Sequence, residues 1–63
     1  MNIHFWDDRT QTLSFQGTVV ELLTLINIRS ETVIVVRNGE VLTDDDTLVN
    51  TDFIRLLSVI SGG

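Results

Sequence analysis

The spacing of the apolar residues changes along this chain, and that change constrains the fold more than any other feature. Val19, Leu22, Leu23 and Ile26 fall at i, i+3, i+4 and i+7, the spacing of one helix face. The remaining apolar stretches alternate or form short β-branched runs. Asn2 to Trp6 alternates, with Ile3 and Phe5 on one face and Asn2, His4 and Trp6 on the other. Gln11 to Phe15 alternates again with Leu13 and Phe15 inward, and the polar Asp7-Asp8-Arg9-Thr10 between the two segments predicts a hairpin. Gln16-Gly17 breaks this pattern before the helix begins.

The helix is predicted over about Thr18 to Asn27, ending before Arg29-Ser30. Thr18 and Glu21 make a Thr-x-x-Glu capping box, in which the hydroxyl accepts from one backbone amide and the carboxylate from the other. Glu21 also sits where the helix dipole favours negative charge. Thr32 to Arg37 holds the β-branched run Val33-Ile34-Val35-Val36, and Asn38-Gly39 is a strong two-residue hairpin turn before the brief strand Val41-Leu42. Thr43-Asp44-Asp45-Asp46 reads as a polar loop, with Leu48 and Val49 expected to anchor it to the core. After a turn at Asn50-Thr51-Asp52, the last strand runs from Phe53 to Val59 with Ile54 and Leu56 inward, and 61–63 form a flexible tail. The order is strand, strand, helix, strand, short strand, strand. That is an α+β arrangement in one domain over residues 1–63, with one helix crossing a mixed sheet of four or five strands.

The chain has 63 residues and neither cysteine nor proline, so its core must come from the 43% of residues that are apolar. A domain of this size buries only about 60% of its unfolded surface, which is marginal but sufficient. Without cysteine there is no disulfide, thiolate metal site or thiol nucleophile. His4 is the single histidine, so no multi-histidine metal site exists, and a pairing of His4 with a serine is a remote catalytic option. Asp44-Asp45-Asp46 lacks the spacing, glycine and distal glutamate of a calcium loop and reads as a solvated turn. Trp6 more often covers a sheet edge than stacks on a partner.

The net charge is −5, and the basic residues Arg9, Arg29, Arg37 and Arg55 are scattered. Nucleic-acid binding requires a clustered positive footprint, and an acidic surface disfavours anionic membranes. A partner with a basic docking surface suits the overall charge. Met1-Asn2-Ile3-His4-Phe5-Trp6 is too short for a signal peptide, and no apolar run approaches the roughly 20 residues of a membrane span. A soluble cytoplasmic protein is expected.

Three segments, in order, carry a resemblance. Thr18-Val19-Val20-Glu21-Leu22-Leu23 resembles a T-V-x-E-L-L helix start, and Val35-Val36-Arg37-Asn38-Gly39-Glu40-Val41 resembles a V-x-V-N-G-x-x segment. Val59-Ile60-Ser61-Gly62-Gly63 resembles a V-x-x-G-G ending. These are motifs of the ubiquitin-like β-grasp sulfur carriers of the ThiS/MoaD type, and the short chain and V-I-x-G-G ending resemble the thiamine-pathway branch more than the longer molybdopterin-synthase small subunit. One departure is Thr51-Asp52, where the family usually has Gly-Asp. Threonine there implies a different turn.

The resemblance implies a carrier that is not itself an enzyme and binds no cofactor. An adenylating, E1-like activating enzyme would use ATP to transfer AMP onto Gly63. A persulfide or sulfide donor would then convert the acyl-adenylate to a thiocarboxylate. A sulfur-acceptor synthase would take that sulfur into thiamine first of all, with molybdopterin or a thiolated tRNA as alternatives. Gly62 and Gly63 are the covalent-attachment residues on this reading. Lacking Cβ atoms, they suit a narrow channel, and residues 61–63 extended reach about 10 Å.

The partner surface follows from strand alternation. With Val33 and Val35 inward, Ile34 and Val36 face out; with Ile54 and Leu56 inward, Arg55 and Leu57 face out. Ile34, Val36, Arg55, Leu57, Val59, Ile60 and Ser61 are therefore the candidate partner-binding residues, although a slip of one residue would invert the assignment. Two rival readings keep the fold. One is a protein modifier conjugated through Gly63 to lysines on targets; this chain has no lysine of its own. The other is a plain ubiquitin-like interaction domain. An enzyme with an unrecognised site is a weaker third.

Overall fold

A computed structural model of the chain describes residues 1–59. β1 (Asn2–His4) pairs antiparallel with β2 (Thr10–Thr12), Asn2 opposite Thr12. The ladder continues past the strands, where the Met1 ammonium donates to the Leu13 carbonyl at 2.8 Å and the Leu13 amide to the Met1 carbonyl at 3.0 Å. The hairpin matches expectation, but its strands are shorter. The Phe5 amide donates to the Arg9 carbonyl at 2.8 Å, and Asp8 takes the left-handed conformation at φ 67°. That turn drops the Phe5 ring into the core, where only 7% of the residue is exposed.

The helix α1 spans Val19–Leu25 and has the expected capping box. The Thr18 amide donates to Glu21 Oε1 at 2.8 Å, and the Glu21 amide to Thr18 Oγ1 at 3.3 Å. Its end comes two residues earlier than predicted, for a local reason. Asn27 adopts φ 62°, the left-handed conformation asparagine tolerates. The Ile28 amide then donates back to the Leu23 carbonyl at 2.8 Å, and the Asn27 amide to the Thr24 carbonyl at 3.1 Å. These two bonds form a Schellman motif, with Ile28 and Leu23 both on the core.

β3 (Gly17–Thr18) pairs antiparallel with β6 (Thr47–Leu48) in a separate two-stranded ribbon that the alternation pattern did not predict. Two residues per strand are too few to set a period. Leu48 is fully buried, as expected, but Val49 is 45% exposed and does not anchor the loop. Its amide donates to Asp52 Oδ2 instead, so the backbone at Val49 serves the turn while its side chain faces water. A single 3₁₀ turn at Ser30–Thr32, also unpredicted, leads into the strand that starts at Val33.

β4 (Val33–Arg37) turns through Asn38 (φ 53°) and Gly39 (φ 80°) into β5 (Glu40–Leu42). Two successive positive φ angles make this the two-residue turn that matches strand twist. β7 (Phe53–Ser58) lies in the middle of a five-stranded sheet ordered β2-β1-β7-β4-β5, parallel to β1 and antiparallel to β4. Val19, Leu22 and Leu23 from α1 share one core with Ile3, Val33, Val35, Ile54 and Leu56 from the sheet, closed by Leu48 from β6. Each fully buried leucine or isoleucine contributes about 1.5–3 kcal/mol of transfer free energy. The helix thus covers one face of the sheet.

Candidate functional site

The sheet face away from α1 is set by strand register. Ile34 lies opposite Leu57, Val36 opposite Arg55, and Val33 and Val35 face the core. This is the alternation expected from the sequence. Ile34 is 37% exposed, Leu57 41% and Val59 50%. Val36 is half-buried beside them, and Arg55 is exposed. The Val59 amide donates to the Thr32 carbonyl at 3.1 Å, so the chain keeps the line of β7 just past the strand. Ile60, Ser61, Gly62 and Gly63 lie outside the described residues.

Two further apolar residues belong to this face. Val41 pairs with Val36 and is 69% exposed; Phe53 precedes buried Ile54 on β7 and is 53% exposed. Val41 was readable in principle, because an Asn-Gly turn pairs Arg37 with Glu40 and therefore Val36 with Val41. Phe53 followed from the same alternation that placed Leu57 outward.

Arg37 ties β4 to the loop that feeds β7. Its guanidinium donates to the Thr47 carbonyl and to Asp52 Oδ2, both at 3.0 Å. Asp52 Oδ2 also accepts from the Val49 amide at 2.9 Å. That backbone bond, followed by the Arg37 guanidinium, holds the Asp52 carboxyl below its ordinary range. The turn at Thr51-Asp52 closes through Asp52, whose amide donates to the Val49 carbonyl at 3.0 Å. Thr51 has no positive φ, which is how threonine is accommodated where the family usually has glycine.

The remaining candidates serve local structure. His4 Nε2 meets Asp8 Oδ1 at 3.4 Å and no serine. Trp6 stands edge-on to Phe5, with ring centroids 5.9 Å apart. In the acidic loop, Asp46 Oδ2 accepts from the Thr43 amide at 2.7 Å, while the Asp46 and Asp44 carbonyls accept from the Val19 and Val20 amides at the start of α1. Among the described residues, no three histidine or carboxylate side chains gather as a metal site. No helix among them is long and apolar enough to cross a membrane.

The family model of ThiS matches residues 3–63, nearly the whole chain. The chain belongs to the ThiS family. The match includes the Val59-Ile60-Ser61-Gly62-Gly63 segment, and the mixed sheet crossed by one helix is the ubiquitin-like β-grasp. This ThiS-family chain is similar to the crystal structure of a thiamine biosynthesis protein (ThiS) from Geobacter metallireducens. The two share 30% identity over 100% of both chains, with a TM-score of 0.66. A comparison with curated proteins finds no match. In the ThiS-family fold, the outer face carries Ile34, Val36, Val41 and Leu57 around Arg55, and β7 leads from it toward the diglycine sequence.

Proposed function

We propose that this ThiS-family chain is a sulfur carrier for thiamine biosynthesis, with the Gly63 carboxylate as the group that is charged. The observation that carries the reading is the family match, which runs through the diglycine segment. The described geometry is compatible with it. β7 is held on both sides by β1 and β4, so the last strand among the described residues is a rigid base from which five more residues follow.

A terminal carboxylate has a pKa near 3.5, is ionised at neutral pH and is a poor electrophile. Activation requires the carboxylate oxygen to attack the α-phosphorus of ATP, with pyrophosphate leaving, on an adenylating partner. Sulfide-level sulfur then attacks the acyl carbon and expels AMP, leaving a thiocarboxylate. The chain's own role is to present the end and to be recognised. Glycines at 62 and 63 place no side chain in the way of a narrow channel. The apolar outer face, with Ile34, Val36 and Leu57 at its centre, is the docking surface for the activating enzyme and then for the sulfur acceptor. ATP and the sulfur donor are substrates of the partners.

Intact-mass measurement of the chain isolated from its own cells tests the proposal. A shift equal to the replacement of one oxygen by sulfur, localised to Gly63, is expected. Adducts with other proteins through Gly63 would establish a protein modifier instead. A terminus that stays unmodified when the chain is incubated with ATP, sulfide and the adenylating enzyme from the same cells would refute the carrier reading.

A further inference from the structure

The outer face contains a charge that the apolar reading leaves unused. Arg9, Arg29 and Arg37 each form an ion pair, with Asp7 at 2.7 Å, Glu31 at 2.6 Å and Asp52 at 3.0 Å. Arg55 forms none among the described residues. It sits in the middle strand with Val36 beside it on β4 and His4 beside it on β1. Phe53 and Leu57, two residues away along β7, share its face and are exposed. The cation is thus ringed mainly by apolar groups that a partner would cover.

The acids lie elsewhere or are already engaged. Asp7, Glu31 and Asp52 hold the other arginines, and Asp8 leans on His4. Glu21 closes the capping box, and the Asp44-Asp45-Asp46 loop sits at the start of α1. Glu40, two residues before the core-facing Leu42, is on the other side of β5 from Val41. Asp8, held by His4 beside Arg55, is the acid that the described contacts bring to this face, and most of the net charge of −5 lies elsewhere.

We infer that the outer face binds a protein surface that is apolar and carries a carboxylate placed for Arg55. This rests on the carrier reading and names the chemistry of its docking partner. A purely apolar partner would strip water from the guanidinium and return nothing for it, and a basic one would repel it. A carboxylate accepts from the planar guanidinium through two parallel bonds, an arrangement that also fixes the angle at which the tail is presented. The overall charge and the local charge make opposite forecasts, so the sign of one substitution separates them.

The test is ATP–pyrophosphate exchange by the purified adenylating enzyme that activates this chain, with the chain as the varied substrate. Arg55→Glu is expected to raise KM about tenfold or more with kcat little changed, since removing one member of a covered charge pair acts on complex lifetime. Arg55→Lys keeps the charge but not the paired donors, so its KM should fall between those of wild type and Arg55→Glu. Arg29→Glu alters the net charge equally, away from this face, and should leave KM within about twofold. Thermal unfolding midpoints within a few degrees of wild type verify that each variant is folded. If Arg55→Glu lowers KM, leaves it unchanged, or changes only kcat, the inference is overturned while the carrier reading stands. If the wild-type chain supports no exchange, the carrier reading fails and takes this inference with it.

Discussion

Replacing Asp52 by alanine tests whether burial, rather than bond length, decides what an ion pair contributes to this fold. The carboxylate makes two bonds through one oxygen, to the Arg37 guanidinium at 3.0 Å and the Val49 amide at 2.9 Å. Its side chain is 16% exposed and that of Arg37 is 30% exposed. Hydrogen bonds to charged groups contribute about 1.5–3 kcal/mol each, and water recovers part of that once the carboxylate is gone. A net cost of about 2 kcal/mol follows, which lowers Tm by roughly 8–16 °C in a domain of this size. Asp52→Asn keeps an acceptor for the Val49 amide and should cost about half as much. The comparison is Arg29–Glu31, shorter at 2.6 Å but with side chains 80% and 60% exposed. Glu31→Ala should shift the urea midpoint far less than Asp52→Ala, because exposed pairs contribute little. Urea unfolding of the three variants is the assay. Equal losses for Asp52→Ala and Glu31→Ala would refute the reasoning.

Other consequences are open to direct measurement. A Cβ at Gly17 would lie 2.8 Å from Glu21 Oε1 and 3.0 Å from Phe15 Cζ, so Gly17→Ala should disturb the capping box. A loss of about 1 kcal/mol is expected, and it should shrink in a Glu21→Ala background because the two changes act on one contact. Leu56→Ala, at a position with no exposure, should cost about 2–5 kcal/mol and leave a large unfolded fraction by circular dichroism. Asp52, Glu21 and Glu31 all have folded-state pKa values below their ordinary ones, led respectively by backbone bonds from Val49, Thr18 and Glu31 itself. Depressed carboxylate pKa values give stability that is complete above the unfolded values of about 3.9 and 4.3 and is lost as pH falls through the folded ones. Tm should therefore be level above about pH 5 and drop below about pH 4; a level profile down to pH 2 would contradict this. Gly62→Ala and Gly63→Ala should slow adenylation while Tm stays at the wild-type value, and normal rates would count against the channel argument.

The residues of the chain determined whatever depends on neighbours in sequence. Thr18 and Glu21 are three apart, so their reciprocal bonds were legible without coordinates. Asn38-Gly39 fixed its own turn, and the period of two placed Ile34, Arg55 and Leu57 on one face because adjacent strand residues point in opposite directions. Only the tertiary structure decided the relations between distant segments. Arg37 and Asp52 are fifteen positions apart and meet because β4 and β7 are neighbours in the sheet. The pairing of Gly17-Thr18 with Thr47-Leu48 leaves no periodic trace, and the exposure of Val49 follows from the turn its amide joins. Arg9 and Arg29 find carboxylates two positions away, at Asp7 and Glu31, whereas the Arg37–Asp52 pair and the place of Arg55 between Val36 and His4 exist only once the strands are paired. Local bonding rules and alternation act over a few residues, whereas which side chains meet across neighbouring strands depends on how the whole chain is packed.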